Sequence, residues 1–248
     1  MKTYLKLLHT GFHVLYSVGG LRRNRSYKCH YFNKLIIRKG DYILDIGANL
    51  GYYTKLFARW AGITGHVYAV EPVACFADTI KWGLRHRQNI TLYNYALGAE
   101  EKEATLATPG FFGYLRTGSP HITNGLAPGG QPEFVFSAKM KRGSELFASL
   151  PRLDFIKCDI EGYEAVVLPE IVELLLKYKP VLQVETWGDQ QTRVEGFLEE
   201  IGYEPYDIEN GLLKPVQAIR NREAGDLFFI HRDNNAVIGR LRTINKAV

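Results

Sequence analysis

Apolar positions between residues 41 and 231 come in short blocks, and between the blocks they repeat with helical spacing. The blocks at 42–46, 66–70, 90–95, 154–158, 180–184 and 226–230 are rich in Val, Ile, Leu and aromatics. Short apolar runs of that kind read as buried strands. Helical spacing falls near 52–61, 75–86, 163–178 and 190–201. Strands alternating with helices predict an α/β fold, with a mainly parallel twisted sheet covered on both faces. Upstream, residues 4–18 are apolar with Lys6, His9 and His13 interspersed. That segment is too polar for a secretory signal and lacks a small-residue cleavage site, so it predicts a helix packed on the domain. The rhythm breaks between Ala107 and Glu133, where six glycines and four prolines accompany several aromatics. An irregular stretch this long predicts a substrate-facing loop, about 108–132, flanked by an extra strand pair at 102–107 and 133–138. The expected organisation is a helical extension over 1–40, an α/β domain over 41–231 and a tail over 232–248.

Charge sharpens that division. Residues 1–40 carry nine Lys/Arg and no Asp or Glu. The tail adds Arg232, Arg240, Arg242 and Lys246 against Asp233 alone, which leaves a body with 18 basic and 25 acidic residues. Basic ends on an acidic body suit a polyanionic partner, whether nucleic acid, an anionic membrane face or a phosphate-bearing carrier, or are simply solvated arms. The three cysteines, Cys29, Cys75 and Cys158, are widely spaced and odd in number. They read as reduced thiols of a cytoplasmic protein rather than as zinc ligands. No run of 18 uninterrupted apolar residues is present, and a spanning helix is not expected. An interfacial helix at the inner membrane face is the alternative reading of residues 4–18.

The chemistry concentrates where the strands end. Residues 45–54 read D-I-G-A-N-L-G-Y-Y-T, a strand turning sharply into a helix. Asp45 closes the strand, Gly47 and Gly51 give the turn its freedom, and Asn49 tolerates left-handed geometry. The following helix turns its free N–H groups back toward a ligand. Dinucleotide folds place G-x-G-x-x-G at this point. The spacing here is G-x-x-x-G behind an acid, which suits a ligand with a cationic amino end. Glu71, followed by Pro72, ends the second strand and is placed to accept ribose hydroxyls. The third strand ends near Asn94-Tyr95-Ala96, positions able to flank an adenine. The fourth ends in Asp159 and Glu161 and the fifth in Glu185, with Trp187 just beyond. Asp159 and Glu161 are two apart, so they are expected to face the same way and raise one another's pKa. Asp45, Glu71, Asp159 and Glu185 would then share one rim.

D-I-G-A-N-x-G-x-Y-T, the later E-P, and D-F-I-K-C-D-I-E-G-Y-E-A-V-V-L with P-V-L-Q-V-E resemble the FkbM family of S-adenosylmethionine-dependent methyltransferases over roughly residues 41–230. The resemblance implies a Rossmann-like class I methyltransferase fold and O-methylation, often of a sugar hydroxyl in a glycan, glycolipid or natural product. It assigns Asp45, Gly47, Asn49 and Gly51 to the methionine moiety, with Tyr53 and Thr54 beside it. Glu71 takes the ribose, and Asp159 lies beside the sulfonium. Family members commonly carry a Thr-hydrophobic-Asp triplet ahead of the helix that precedes the fourth strand. The equivalent stretch here, Lys139 to Ser144, has no acid.

Methyl transfer to an alcohol requires a held oxygen and a proton acceptor. Asp159, Glu161 and Glu185 are the candidate catalytic carboxylates, on rigid strand ends. Phe112, Tyr114, His121 and Trp187 are the candidate substrate contacts. The same carboxylates are a conceivable Mg²⁺ site, although no metal is expected. A nicotinamide oxidoreductase is disfavoured by the glycine spacing. A nucleic-acid methyltransferase lacks an N-P-P-Y-type motif and any recognisable RNA-binding module. A pocket that binds cofactor without turnover is the non-enzyme alternative.

Overall fold

A computed structural model describes residues 2–111, 114–115, 117, 120–122, 133–186, 188–216 and 225–246. The chain opens with α1 (Lys2–Ser17) and α2 (Lys28–Ile36), then β1 (Tyr42–Ile46), α3 (Tyr52–Ala61), β2 (His66–Val70), α4 (Ala74–Gly83), β3 (Ile90–Tyr93) and β4 (Ala96–Leu97). Next come β5 (Lys102–Phe111), β6 (Tyr114–Leu115), β7 (His121–Ile122), β8 (Glu133–Lys141), α5 (Gly143–Leu146) and β9 (Phe155–Cys158). The rest comprises α6 (Glu164–Glu170), α7 (Val172–Tyr178), β10 (Val181–Thr186), α8 (Gly188–Glu200), β11 (Tyr203–Glu209), β12 (Leu212–Pro215), β13 (Gly225–His231) and α9 (Asn235–Lys246).

Eight strands form the central sheet in the order β12-β11-β13-β10-β9-β1-β2-β3. β3, β2, β1, β9 and β10 are parallel, whereas β13 runs antiparallel between β10 and β11. The winding reverses between β1 and β9. In an open α/β sheet that reversal opens a crevice beyond the carboxyl ends of the strands. A second sheet, β4-β8-β5-β6, is built on the long β5–β8 hairpin and leans over this end.

Strand periodicity sorts the side chains. Leu44, Ile46, Ile156, Cys158, Leu182 and Val184 point to one face, against Leu168, Leu175 and Leu198 of α6, α7 and α8. Ile43, Phe155, Val181 and Phe228 point to the other, against Phe32, Phe57 and Val237 of α2, α3 and α9. Two positions further along the strands, that second face turns polar, with Asp45, Lys157 and Gln183 in register across β1, β9 and β10. The apolar blocks therefore build the floor, and the polar row lies directly beneath the crevice.

Several elements depart from the sequence reading. The single helix expected over 163–178 is two helices, α6 and α7, broken at Ile171. Pro169 lies inside the last turn of α6, the Ile171 N–H still bonds to the Val167 carbonyl, and the break comes at Ile171, whose φ −99° and ψ 20° leave the helical region. The extra strand pair is longer than expected and reaches Phe111 and Lys141. β11 was missed because Pro205 reads as a strand breaker. Residues 232–248, read from charge as a tail, contain α9, which buries Val237 and Leu241.

Candidate active site

The turn after β1 has the geometry its residues dictate. Gly47 (φ 80°), Asn49 (φ 51°) and Gly51 (φ 78°) are all left-handed. A Cβ on Gly47 would fall on the Asp159 carbonyl oxygen, so this glycine is required by the close approach of the β9 turn as well as by its own torsion. Asp45 is not a rim residue. β1 continues to Ile46, and Asp45 is fully buried, accepting from Thr54 Oγ1 at 2.6 Å. Among the described residues, neither its Oδ1 nor Asn49 Oδ1 has a hydrogen-bond partner. The Asn49 amide donates to the Thr117 carbonyl. Glu71, buried at the end of β2, accepts from the Asn49 N–H at 2.7 Å and the Val73 N–H at 2.8 Å. Burial lifts its pKa to about 8, against the pull of those two bonds.

The second turn, after β9, is held by a residue the sequence reading did not single out. Glu164, at the start of α6, accepts from the Ile160 N–H at 2.8 Å and the Gly162 N–H at 3.0 Å. This fixes Glu161 and Gly162 in successive left-handed conformations, φ 55° and 96°. Holding a glutamate in that region costs free energy that the rest of the turn must offset. Carboxylate oxygens of Asp159, Glu161 and Glu185 come within 4.8 Å of one another.

Like charges so close cannot all remain ionised, and Lys157 decides which one does. Its ammonium, buried beneath the rim, contacts Asp159 at 2.7 Å. Burial acts to raise the pKa of Asp159, but Lys157 and a hydrogen bond shared with Glu185 hold it below the ordinary value. Glu185 is pushed up to about 9 by burial and by Asp159, so it carries the shared proton at neutral pH. Glu161 is raised to about 7 by burial, Asp159 and Glu164. The expected mutual raising thus holds for Glu161 and fails for Asp159, because the lysine two residues before it shares its strand face. Three carboxylates at this spacing are a geometry that small cations accept. Lys157 and the Glu185 proton already offset much of their charge.

One cleft, of ≈ 820 Å³ including its open mouth, gathers most of these groups. Gly47, Asn49, Glu71, Pro72 and Ala96 line one part, and Asp159, Glu161 and Glu185 another. Thr54 and Tyr53 lie below it. Tyr53 stacks on His30 with ring centroids 3.7 Å apart, and its hydroxyl accepts from Gln183 Nε2 at 3.2 Å. Asn94 fastens the neighbouring turn, donating to the carbonyls of Glu71 (2.8 Å) and Pro72 (3.0 Å). Gly51 caps α3 and packs toward Ile80. His121 sits on β7 between two lining residues, Pro120 and Ile122, without lining the cleft itself. Phe112, Trp187 and the side chain of Tyr114 lie outside the described residues.

A strand-end acid at β2, glycine turns after β1 and a carboxylate cluster after β9 match a known pattern. The Methyltransferase FkbM domain matches residues 45–205, well over half of the chain. The chain belongs to the FkbM methyltransferase family. Among solved structures, methyltransferase FkbM from Methylobacillus flagellatus superposes with a TM-score of 0.54 at 17% identity, over 83% of this chain and 48% of that one. The chain therefore spans about half the length of that relative. A SAM-dependent O-methyltransferase from Thermotoga maritima (TM-score 0.46, 13% identity, 87% and 69% coverage) is also similar. So is Aeropyrum pernix fibrillarin, solved with natively bound S-adenosyl-L-methionine (0.46, 14%, 79% and 68%). No curated protein sequence matches the chain. The fold is the Rossmann-like class I methyltransferase fold.

Within this family site, Lys157, Glu164 and the cleft-lining Tyr163 are the additions that sequence reasoning missed, whereas Tyr95, expected beside the adenine, does line the cleft. Lys157 sat in a block read as an apolar strand, and only its i, i+2 relation to Asp159 gave a signal. The stretch lacking the family's acid uses its polar groups elsewhere. Lys141 binds Glu101 at 2.6 Å, while Arg142 Nε (3.2 Å) and the Ser144 N–H (3.0 Å) both reach Glu170.

Proposed function

We propose that this protein is an S-adenosylmethionine-dependent O-methyltransferase whose acceptor is a sugar hydroxyl of a glycan, glycolipid or natural product. One observation carries the reading: the cofactor-type turn with Glu71 and the Asp159–Glu161–Glu185 cluster open onto the same cleft. The unpartnered Oδ1 atom of Asn49, in the cleft lining, fits a ligand that brings an N–H donor. When bound, S-adenosylmethionine supplies an electrophilic methyl group on a sulfonium.

The chain's own residues do the remainder. Glu71, oriented by two backbone N–H groups, receives the ribose hydroxyls. Asp159, kept ionised by Lys157, presents negative charge to the cationic centre. Glu185 keeps its proton and donates it in a hydrogen bond. Glu161, whose pKa lies near the working pH, takes the proton of the acceptor hydroxyl, because a base is most effective when the two match. Carboxyl groups in different protonation states give the cleft both donors and acceptors, which suits a hydroxyl-rich acceptor.

Titration calorimetry tests the cofactor assignment. The wild type is expected to bind S-adenosylmethionine with one site. Glu71→Ala, which removes the ribose acceptor, is expected to weaken binding at least tenfold. Equal affinity in the two proteins would remove Glu71 from the cofactor site.

A further inference from the structure

A face that shares no lining residue with the cleft combines two features the methyltransferase site does not use. The first is a stripe on α1. This helix buries Leu5, His9 and Phe12 against the domain. Its opposite side carries Leu7, Val14 and Leu15, exposed by 66%, 54% and 50%, and Val18, 73% exposed, continues the row in the turn just after the helix, its N–H bonded to the Val14 carbonyl. With Gly11 they follow the spacing i, i+4, i+7, i+8, i+11, one continuous apolar band along the helix. Aliphatic side chains exposed in a row, rather than scattered singly, mark an interaction surface.

The second feature is a groove at the carboxyl end of that band, of ≈ 2360 Å³ including its open mouth. Arg22, Lys28, Lys34, Lys39 and Arg59 line it, and among the described residues no acidic one does. Lys28 is engaged by Asp207 at 2.9 Å, and Arg22 lies over the Tyr31 ring. Val18 and the half-exposed Leu35 also line the groove, so the apolar band runs directly into the basic pocket. Ile63, 98% exposed, projects from the loop whose Gly62 lies beside Lys39.

We propose that this face docks on an anionic lipid bilayer, with α1 lying in the interface plane and the groove receiving lipid phosphates. Charge complementarity supplies the occupant: the first 40 residues hold nine basic side chains and no acid. Among the described residues no helix is long and apolar enough to cross a membrane, so α1 lies on the bilayer. Nucleic acid would satisfy the basic groove but has no use for a band of Leu and Val. A second copy of the chain would bring the same basic groove and repel it. Docking here is independent of how the cleft is read, since neither feature touches it.

Cosedimentation of the full chain with vesicles tests the proposal, comparing phosphatidylcholine alone with an equal mixture of phosphatidylcholine and phosphatidylglycerol. Binding is expected to the mixed vesicles only, weakening as salt is raised. Lys34→Ala and Lys39→Ala are each expected to weaken it about fivefold. Val14→Gln and Val18→Gln should each weaken it about tenfold. These side chains are exposed or line an open groove, so circular dichroism and S-adenosylmethionine affinity should stay at wild-type values. Three results would overturn the proposal: no binding to either vesicle, equal binding to both, or binding indifferent to Val14 and Val18. Tight RNA binding, or self-association removed by Val14→Gln, without vesicle binding would overturn it equally.

Discussion

Lys157 organises the chemistry of the rim without facing the cleft. A buried ammonium is costly unless it is paired, and its partner here is one of three carboxylates that would otherwise share protons freely. Pairing with Asp159 leaves Glu185 protonated and Glu161 with a pKa of about 7. The three acids, equal in the sequence, thereby acquire three roles. Activity is predicted to rise with pH along a limb centred near 7, as Glu161 loses its proton. Glu161→Gln should abolish that limb and lower kcat about a hundredfold or more, with little change in S-adenosylmethionine affinity. The stability sign is opposite. A carboxyl whose folded pKa is raised from 4.5 to about 7 contributes stability at low pH that is lost as pH rises through that window. At pH 8 Glu161→Gln should therefore melt no lower than the wild type. A kcat–pH profile with a thermal melt checks both, and an unchanged acid limb in the variant would move the base to another residue.

At the scale of elements, α1 and α2 act as braces on the catalytic turns. His9 Nδ1 donates to the Leu50 carbonyl at 2.7 Å, within the turn that follows β1. His30, on α2, stacks on Tyr53 of α3, whose hydroxyl meets the polar row through Gln183. Asn33 reaches the same Gln183 at 2.6 Å. Burial and the neighbouring Lys157 lower the pKa of His30 to about 3, and burial with His9 lowers that of His13 to about 3. Between pH 6.5 and 3 the unfolded chain binds protons there and the native chain does not. Stability conferred by these neutral rings is present above pH 6.5 and falls as pH drops below it, by about 1.4 kcal/mol per pH unit for each histidine. His30→Gln removes one such group. Its stability deficit relative to the wild type should shrink by that amount per unit in denaturant melts at pH 6 and pH 5; a constant deficit would show that His30 titrates normally.

The strands of the parallel core were legible because each is an apolar block with a polar residue at its carboxyl end. The cleft residues Gly47, Asn49, Glu71 and Asp159 were legible for the same reason, since a strand end followed by a turn is a local pattern. Lys157 and Gln183 were not, because burial of a polar row across three strands is decided by register, and register is not local. α2 falls within the helical extension expected over 1–40, whereas α9 was not legible because the apolar face that buries Val237 and Leu241 has meaning only against the sheet. Rim position misled for Asp45, where one further residue of β1 puts the carboxylate under the turn.

As a whole, the molecule places its reactive groups where the sheet reverses its winding, between β1 and β9, and roofs them with the β5–β8 hairpin. Three parallel strands contribute to the cleft wall from either side of the reversal: β2 ends at Glu71, β9 at Asp159 and Glu161, and β10 carries Glu185. Rigid strand ends suit a displacement that depends on holding two groups in line. The proposed reaction moves a methyl group to a sugar oxygen in this cleft. Incubating the protein with S-adenosylmethionine labelled in its methyl group and a panel of host glycans and lipid-linked sugars, followed by mass analysis, tests it directly. The expected product carries label in an O-methyl ether on a single sugar hydroxyl, formed about a hundredfold or more slowly by Glu161→Gln. Label on nitrogen, or full transfer by the Glu161→Gln variant, would contradict it.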